Sequence, residues 1–263
     1  MIKKGILFIL TIITVSFYFS SCNIDYFNDK EERKLKIVYT DWSEGIALTH
    51  LSAILLEEKM GYEVTLKLTE VKKAYRDIAN NKADIFADAW LPETHKHVYN
   101  LYSDKIEKIG ITYPEAKIGL VVPAYSKFNT INDLVNYQKS IIGIDTNSGV
   151  VYKANLAIDK YKLNCTLINH TEKAMVKHLE NSLKRRKDVV ITGWEPHWIF
   201  ARYDLKFLKD PKNVFGDKEK IYTIANKNIN EKHPNAVRFF ERMQLSEKQL
   251  NKLIHLMGQN DDP

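Results

Sequence analysis

Cysteine is almost absent from this sequence, which contains only Cys22 and Cys165. Cys22 ends an apolar N-terminal run, and Cys165 lies alone inside a second apolar stretch. An isolated cysteine in such a stretch is usually a small buried hydrophobe. A framework of internal disulfide bonds is therefore excluded, and the fold must be held together by core packing.

The familiar sequence motifs of enzymes are also absent. The chain contains no G-x-G-x-x-G, P-loop, G-x-S-x-G or H-E-x-x-H pattern. His95 and His97 form an H-x-H pair, but no third metal ligand accompanies them. The sequence therefore predicts no catalytic residue, no metal and no cofactor. A secreted hydrolase that uses His95 with Asp88 or Glu44 is a remote alternative.

Long apolar runs are missing beyond the N-terminus. There, two lysines precede 15 mostly apolar residues, 5–19, and two serines then lead to Cys22. This run is shorter than the roughly 20 residues that span a bilayer, and its arrangement is that of a secretory signal with a lipobox-like end. We predict a signal peptide over 1–22, lipidation of Cys22, a polar tether over 23–34, and a membrane-anchored, extracytoplasmic lipoprotein of the cell envelope.

Clustered positive charge is scarce, although the net charge is +6. The densest basic group, 184–187, follows a predicted helix, where cations suit the helix dipole. No aromatic residues are interleaved with it in the manner of a nucleic-acid-binding module. We therefore predict a solvated surface and no nucleic-acid partner.

Strand and helix patterns alternate from residue 35 onwards. Residues 35–39 alternate as in a strand, and 48–55 then place leucines on one helical face. This β-α-β-α order predicts an α/β protein with largely parallel sheets. Further strands are predicted at 62–68, 84–87, 118–122, 141–144, 165–168 and 189–192, and further helices at 71–78, 150–161, 171–184, 236–242 and 247–257.

Two extended stretches, near 120–124 and 222–225, are suited to cross between two lobes. The chain beyond the tether is long enough for two domains of ordinary size. We predict one lobe over 35–121, to which 223–263 returns, and a second lobe over 122–222. One large sheet is the alternative.

Three of the four tryptophans occupy equivalent places in this pattern. Trp42, Trp90 and Trp194 each stand at the end of an apolar strand pattern. In parallel α/β sheets, the carboxyl ends of the strands form the ligand crevice. Three indole faces there suit a methylated ammonium group, which lacks N–H donors and binds to aromatic faces. The alternative is that each indole covers the core beneath its own loop.

Four separated segments resemble the glycine betaine/proline betaine-binding subunit of ABC importers. They are Asp41–Ala47, Ala89–His95, Ile142–Val150 and Thr192–Trp198, and the similarity covers roughly 35–240. The resemblance implies a two-lobed, type II periplasmic-binding-protein-like fold with its ligand cleft between the lobes. It also implies a role in osmoprotection, through capture of glycine betaine or a similar quaternary-ammonium solute for an ABC transporter permease.

The same resemblance implies which residues bind the ligand. Trp42, Trp90 and Trp194 would form a cation–π cage around the ammonium group. The side chain of His95 and the backbone N–H groups of Gly149 and Val150 would bind the carboxylate. Gly149 opens a predicted helix, whose free N–H groups and dipole favour an anion.

Other ligands and roles stay open at this point. Carnitine or a sulfonium zwitterion would suit the same cage, whereas choline lacks the carboxylate that the predicted donors require. A ligand-sensing module without transport would use identical binding chemistry. Asp41, Glu44 and Asp88 are expected to orient loops near the cage. Glu195 stands where relatives commonly have a neutral hydroxyl residue, so we expect it at the cleft rim.

Overall fold

The computed structural model describes residues 33–257. The predicted signal peptide, Cys22, nearly all of the tether and the last six residues of the chain lie outside the described residues. Between residues 33 and 257, no helix is both long and apolar enough to cross a membrane.

The described residues form nine strands and nine α-helices, with one 3-10 helix at Ile131–Asn136. The strands are β1 (Lys34–Tyr39), β2 (Glu63–Leu68), β3 (Ile85–Leu91), β4 (Ile106–Pro123), β5 (Ile141–Gly143), β6 (Leu167–Asn169), β7 (Ile191–Glu195), β8 (Leu205–Phe207) and β9 (Glu219–Asn226). The helices are α1 (Ser43–Met60), α2 (Val71–Ala79), α3 (Lys96–Asn100), α4 (Gly149–Tyr161), α5 (Glu172–Lys184), α6 (Ile199–Arg202), α7 (Ile229–Lys232), α8 (Pro234–Arg242) and α9 (Glu247–Met257).

One continuous path of strands runs in the order β2-β1-β3-β9-β4-β7-β5-β6, with β8 beside β4. The long strand β4 pairs with strands on both sides of the middle of this path. Its residues 106–116 pair with β9, and its residues 117–123 pair with β7 and β8. We call β2, β1, β3, β9 and 106–116, with α1 to α3, the first half. The second half comprises 117–123, β5 to β8, α4 and α5.

The expectation of largely parallel sheets is wrong at the centre of the molecule. Parallel pairs lie at the two ends, where β1 pairs with β2 and β3, and β5 pairs with β6 and β7. Between them, β4 and β9 make only antiparallel pairs. These two strands connect the halves. Strand β9 runs antiparallel to β3 in the first half, and β4 runs antiparallel to β7 and β8 in the second half. The α/β alternation itself is confirmed.

Local sequence explains how the elements that carry the site begin and end. Helix α1 stops at Gly61, whose φ of +70° is the left-handed conformation of a helix C-cap. The Gly61 N–H donates to the Glu57 carbonyl, and the Tyr62 N–H donates to the Leu56 carbonyl. Helix α5 starts at Thr171, whose hydroxyl accepts the N–H of Ala174. Strand β3 is buried along its whole length, which fixes the chain that leads into Trp90.

Candidate functional site

The six residues expected to bind a ligand line one cavity. Trp42, Trp90 and Trp194 surround it together with His95 and the helix start at Gly149 and Val150. Each comes from the carboxyl end of a strand or from the chain that directly follows one. The remaining lining residues are Glu44, Thr94, Ile118, Ile144 and Ser148.

Each of the three indoles donates its Nε1–H group to a carboxylate. These pairs are Trp42 to Asp145 Oδ2 at 2.9 Å, Trp90 to Asp88 Oδ1 at 2.8 Å, and Trp194 to Glu44 Oε2 at 2.7 Å. All three rings are more than nine-tenths buried. The ring edges are thus fixed by hydrogen bonds, and all three rings line the cavity.

His95 presents an N–H group to the same cavity. Its Nδ1 atom accepts the backbone N–H of Trp90 at 3.1 Å and lies 3.4 Å from the Tyr75 hydroxyl. The ring proton of the neutral imidazole therefore belongs on Nε2. Nε2 is buried without a hydrogen-bond partner among the described residues. Burial lowers the pKa of His95 to about 3, so the ring is a neutral donor.

Helix α4 brings its first turn against the loop that carries His95. Its N-cap, Ser148, does not cap with its side chain but donates its hydroxyl to the Asp145 carbonyl. The first N–H groups of α4, including those of Gly149 and Val150, have no acceptor within the helix. A Cβ atom on Gly149 would lie 2.2 Å from Thr94 Cγ2 and 2.8 Å from the Thr94 carbonyl oxygen. Only glycine permits this approach.

Two of the acids that accept indole N–H groups, Glu44 and Asp88, are buried. Burial, reinforced by the charges of Asp88 and Glu172, raises the pKa of Glu44 well above its usual value. Burial also raises the pKa of Asp88 to about 7, although hydrogen bonds from Trp90 and Thr40 oppose the shift. The surroundings of both carboxylates therefore favour an added positive charge.

A second polar cluster joins the halves beside the cavity. Glu172, at the start of α5, accepts the backbone N–H of Ser43 at 3.0 Å and also its hydroxyl. His197 Nε2 lies 3.1 Å from Glu172 Oε1, and His197 Nδ1 accepts the N–H of Ile199. Burial raises the pKa of Glu172, but His197 and Ser43 outweigh it and lower the pKa overall. His197 therefore connects Glu172 to the start of α6.

Other residues singled out in the sequence lie away from the cavity walls. His97 is exposed, and no cluster that could hold a metal occurs within residues 33–257. Trp198 is half-buried against Tyr203. Glu195 pairs across the strands with Lys117, and its position at the cleft rim stays a prediction.

Sequence reasoning missed several residues that hold the site in place. Glu219, at the start of β9, accepts the N–H groups of Glu93 and Thr94 at 3.0 Å and the Thr94 hydroxyl. It thereby fixes the loop between Trp90 and His95. Asp145 and Glu172 likewise bind residues more than 100 positions away. No motif marks such acids, because their partners are distant in the sequence.

Comparisons with known proteins agree on one family. A family model for the substrate-binding domain of ABC-type glycine betaine transport systems matches residues 33–263. The chain is 32% identical over 151 residues to the glycine betaine/carnitine transport binding protein GbuC of Listeria monocytogenes serotype 1/2a (strain 10403S). That match covers 56% of this chain and 50% of GbuC, so the chain aligns with half the length of that relative.

Two solved structures share the fold over most of their length. Lactococcal OpuAC, in its closed-liganded conformation with glycine betaine, has a TM-score of 0.84 and 31% identity, covering 88% of this chain and 92% of that one. ProX from Borrelia burgdorferi has a TM-score of 0.81 and 28% identity, with 86% and 87% covered. The chain belongs to the family of substrate-binding domains of ABC-type glycine betaine transport systems.

Proposed function

We propose that this protein captures glycine betaine, or a closely similar quaternary-ammonium zwitterion, and delivers it to the permease of an ABC importer. The observation that carries the proposal is that three indoles, His95 and the start of α4 line one cavity. A ligand that has a methylated cation and a carboxylate on one short chain matches this lining: the cation suits the indoles, and the carboxylate suits the N–H donors. Osmoprotection is the corresponding physiological role.

The ammonium end is assigned to the faces of Trp42, Trp90 and Trp194. A trimethylated nitrogen has no N–H to donate, and aromatic faces attract it through their quadrupoles. Each such contact contributes about 0.5–2 kcal/mol, and more when water is excluded. Burial of all three rings places these contacts in a setting where they are strong.

The carboxylate end is assigned to His95 Nε2–H and to the N–H groups of Gly149 and Val150. Nε2 is buried and unpartnered within the described residues, so a ligand oxygen would satisfy it. The positive end of the α4 dipole adds attraction for an anion. Choline, which has no carboxylate, would leave these donors unpaired.

We further propose that the halves act as lobes that close on the ligand. The predicted lobes, 35–121 with 223–263 and 122–222, are connected by β4 and β9. Trp42, Trp90 and His95 would come from one lobe, and Gly149, Val150 and Trp194 from the other. A ligand that bridges both groups binds the closed form better and therefore shifts the population towards it.

We propose that the protein works outside the cytoplasm, held to the membrane by lipid on Cys22. The charged, apolar and small-residue order of 1–22 supports this placement. Metabolic labelling with a fatty acid would test it. Label is expected in the native chain and absent after Cys22→Ala, whereas equal labelling of both would exclude the anchor.

Tryptophan fluorescence titrated with glycine betaine tests the ligand assignment. We expect a saturable change that is lost in Trp90→Ala and in Trp194→Ala. Trp198→Phe is the matched control, because Trp198 lies outside the cavity and its variant should titrate like the wild type. Wild-type protein that shows no saturable response to glycine betaine would contradict the proposal.

Parallel titrations with choline and carnitine define the ligand class. Glycine betaine should bind more tightly than choline, because only the former pairs the three donors. Binding of choline with higher affinity than glycine betaine would reassign the site to an alcohol ligand. Carnitine keeps both charged groups but holds them farther apart. Its affinity therefore shows whether the site accepts a larger distance between the ammonium and the carboxylate.

A further inference from the structure

The three carboxylates that accept the indole N–H groups form a shell at the edges of the rings. We propose that these cage carboxylates, Asp145, Asp88 and Glu44, are positioning residues that fix the three rings for recognition of a cation. This inference rests on the proposed function, because it assigns a role within the same site. None of the three belongs to an ion pair among the described residues.

One hydrogen bond at the ring edge is enough to select the orientation of an indole. The ring has a single polar group, Nε1–H, so rotation by half a turn would break the bond and bury the donor unpaired. Asp88 and Trp90 stand two residues apart in β3, next to a register shift between Phe86 and Ala89, and the Trp90 indole N–H reaches the Asp88 carboxylate at 2.8 Å. This hydrogen bond lies within one strand and does not depend on contact between the halves.

The other two bonds connect the halves of the molecule. Trp42, at the start of α1, reaches Asp145 after β5, across 103 positions of sequence. Trp194 in β7 reaches Glu44 in the first turn of α1, across 150 positions. These rings are oriented only when the halves meet, so ring placement and closure depend on the same contacts.

The charge of the shell also bears on which ligand is accepted. Glu44 and Asp88 are almost fully buried, and no lysine or arginine within residues 33–257 neutralises them. A buried carboxylate without a counter-charge is costly. A cationic group in the cage offsets that cost, whereas an uncharged group of the same shape does not. The shell therefore favours glycine betaine over its carbon isostere, tert-butylacetate.

Paired substitutions separate the effect of losing the hydrogen-bond acceptor from the effect of losing the negative charge. Asp145→Ala and Glu44→Ala remove the hydrogen-bond acceptor, and each should weaken glycine betaine binding about tenfold. Asp145→Asn and Glu44→Gln keep an acceptor oxygen, so they should bind more tightly than the alanine variants. The remaining loss in Glu44→Gln should be larger for glycine betaine than for tert-butylacetate, as measured by calorimetry. Asp145 is exposed, so solvent screens its charge, and Asp145→Asn should affect both ligands equally.

Glu70→Ala provides the matched control. Glu70 also contacts the opposite half, through Asn147 at 3.3 Å, but it touches no indole. We expect this variant to bind glycine betaine like the wild type. Alanine variants of Asp145 and Glu44 that fold and bind normally would overturn the inference. An equal loss in Glu70→Ala would also overturn it, because the effect would then come from closure alone.

An NMR measurement distinguishes failure of this inference from failure of the proposed function. The indole N–H signal of Trp90 in ligand-free protein reports on its bond to Asp88, within one half. Asp88→Ala should shift that signal and accelerate its hydrogen exchange, and Asp88→Asn should change it less. An unchanged signal refutes positioning by Asp88. If the signal changes while wild-type protein ignores glycine betaine, positioning is supported and the ligand assignment is wrong.

Discussion

Trp90 and His95 hold each other through two reciprocal hydrogen bonds. The backbone N–H of Trp90 donates to His95 Nδ1 at 3.1 Å, and the backbone N–H of His95 donates to the Trp90 carbonyl at 2.8 Å. These two bonds join a proposed cage ring to a proposed carboxylate donor within six residues. The imidazole cannot turn without losing a bond, so Nε2 stays the ring atom that no described residue accepts from.

Replacement of His95 should weaken glycine betaine binding through the loss of one donor to a carboxylate. Hydrogen bonds to charged groups are worth about 1.5–3 kcal/mol, so His95→Ala should lower affinity roughly ten- to a hundredfold. Because the pKa of His95 is held at about 3, its contribution should stay constant between about pH 5 and about pH 8. Calorimetric titration across that range measures both effects.

His97→Ala is the control for this prediction, since His97 is exposed two residues away. It should bind like the wild type at every pH. If the effect of His95→Ala grew steeply on acidification, His95 would act as a charged imidazolium, and the neutral-donor assignment would be wrong.

The short segment from Trp90 to His95 shows what the sequence can predict. Its strand, ring and histidine follow one another, so periodicity and spacing place them together without knowledge of the fold. Glu219 is different, because it reaches the same loop from β9. An isolated glutamate usually lies on a solvated surface, and nothing near Glu219 in the sequence indicates burial.

The centre of the sheet was also beyond sequence reasoning. Only 118–122 of strand β4 were predicted, although the strand begins at Ile106. Register shifts interrupt its pairing with β9 near Gly110 and between Tyr113 and Ala116, which breaks the period-two pattern. Strand direction is a tertiary property, so hydropathy did not reveal the antiparallel pairs.

A side chain at position 149 should interfere with closure. The added Cβ of Gly149→Ala would meet the Thr94 methyl and carbonyl at 2.2 and 2.8 Å, so α4 must withdraw from the His95 loop. We expect glycine betaine affinity to fall at least about tenfold with little loss of thermal stability, because the clash exists only when these segments meet. Fluorescence titration and thermal unfolding measure the two quantities.

Thr94→Ser offers a test of that cause. It removes Cγ2 but keeps the hydroxyl that donates to Glu219. Combined with Gly149→Ala, it should restore part of the affinity, since the contact with the carbonyl persists. No recovery in the double variant would argue that alanine acts on helix α4 itself and not through Thr94.

Ligand affinity should rise as the pH increases through about 7, where Asp88 ionises. Burial raises the pKa of Asp88 to about 7, and it also raises the pKa of Glu44. A cation in the cage favours the ionised acids, so binding releases protons and is weaker where the acids start protonated. The groups that face these acids are Thr40, Tyr75, Trp90, Trp194 and Glu172. His95 stays neutral over this range.

Asp88→Asn should flatten this profile, because the amide does not titrate near neutrality. Calorimetry in buffers of different ionisation enthalpy counts the protons released at each pH. A wild-type affinity that is constant from about pH 5.5 to about pH 8.5 would show that neither acid is linked to the ligand.

Glu172 should control how long the closed form persists. It joins the start of α5 to Ser43 at the start of α1 and remains ionised, because His197 and Ser43 outweigh burial and lower its pKa. Glu172→Ala removes both bonds to Ser43 and the contact with His197, so opening should become easier. We expect several-fold faster release of glycine betaine with a smaller change in association, as is usual for lost interface contacts. Since a lowered pKa stabilises the contact only while the acid is ionised, release of wild-type ligand should accelerate as the pH falls through that pKa.

Stopped-flow displacement measures the rate, and Glu180→Ala is the matched control. Glu180 lies on the same helix but bonds to Tyr203 within the second half, so its loss should leave release unchanged. Equal release rates in all three proteins would mean that Glu172 does not hold the halves together.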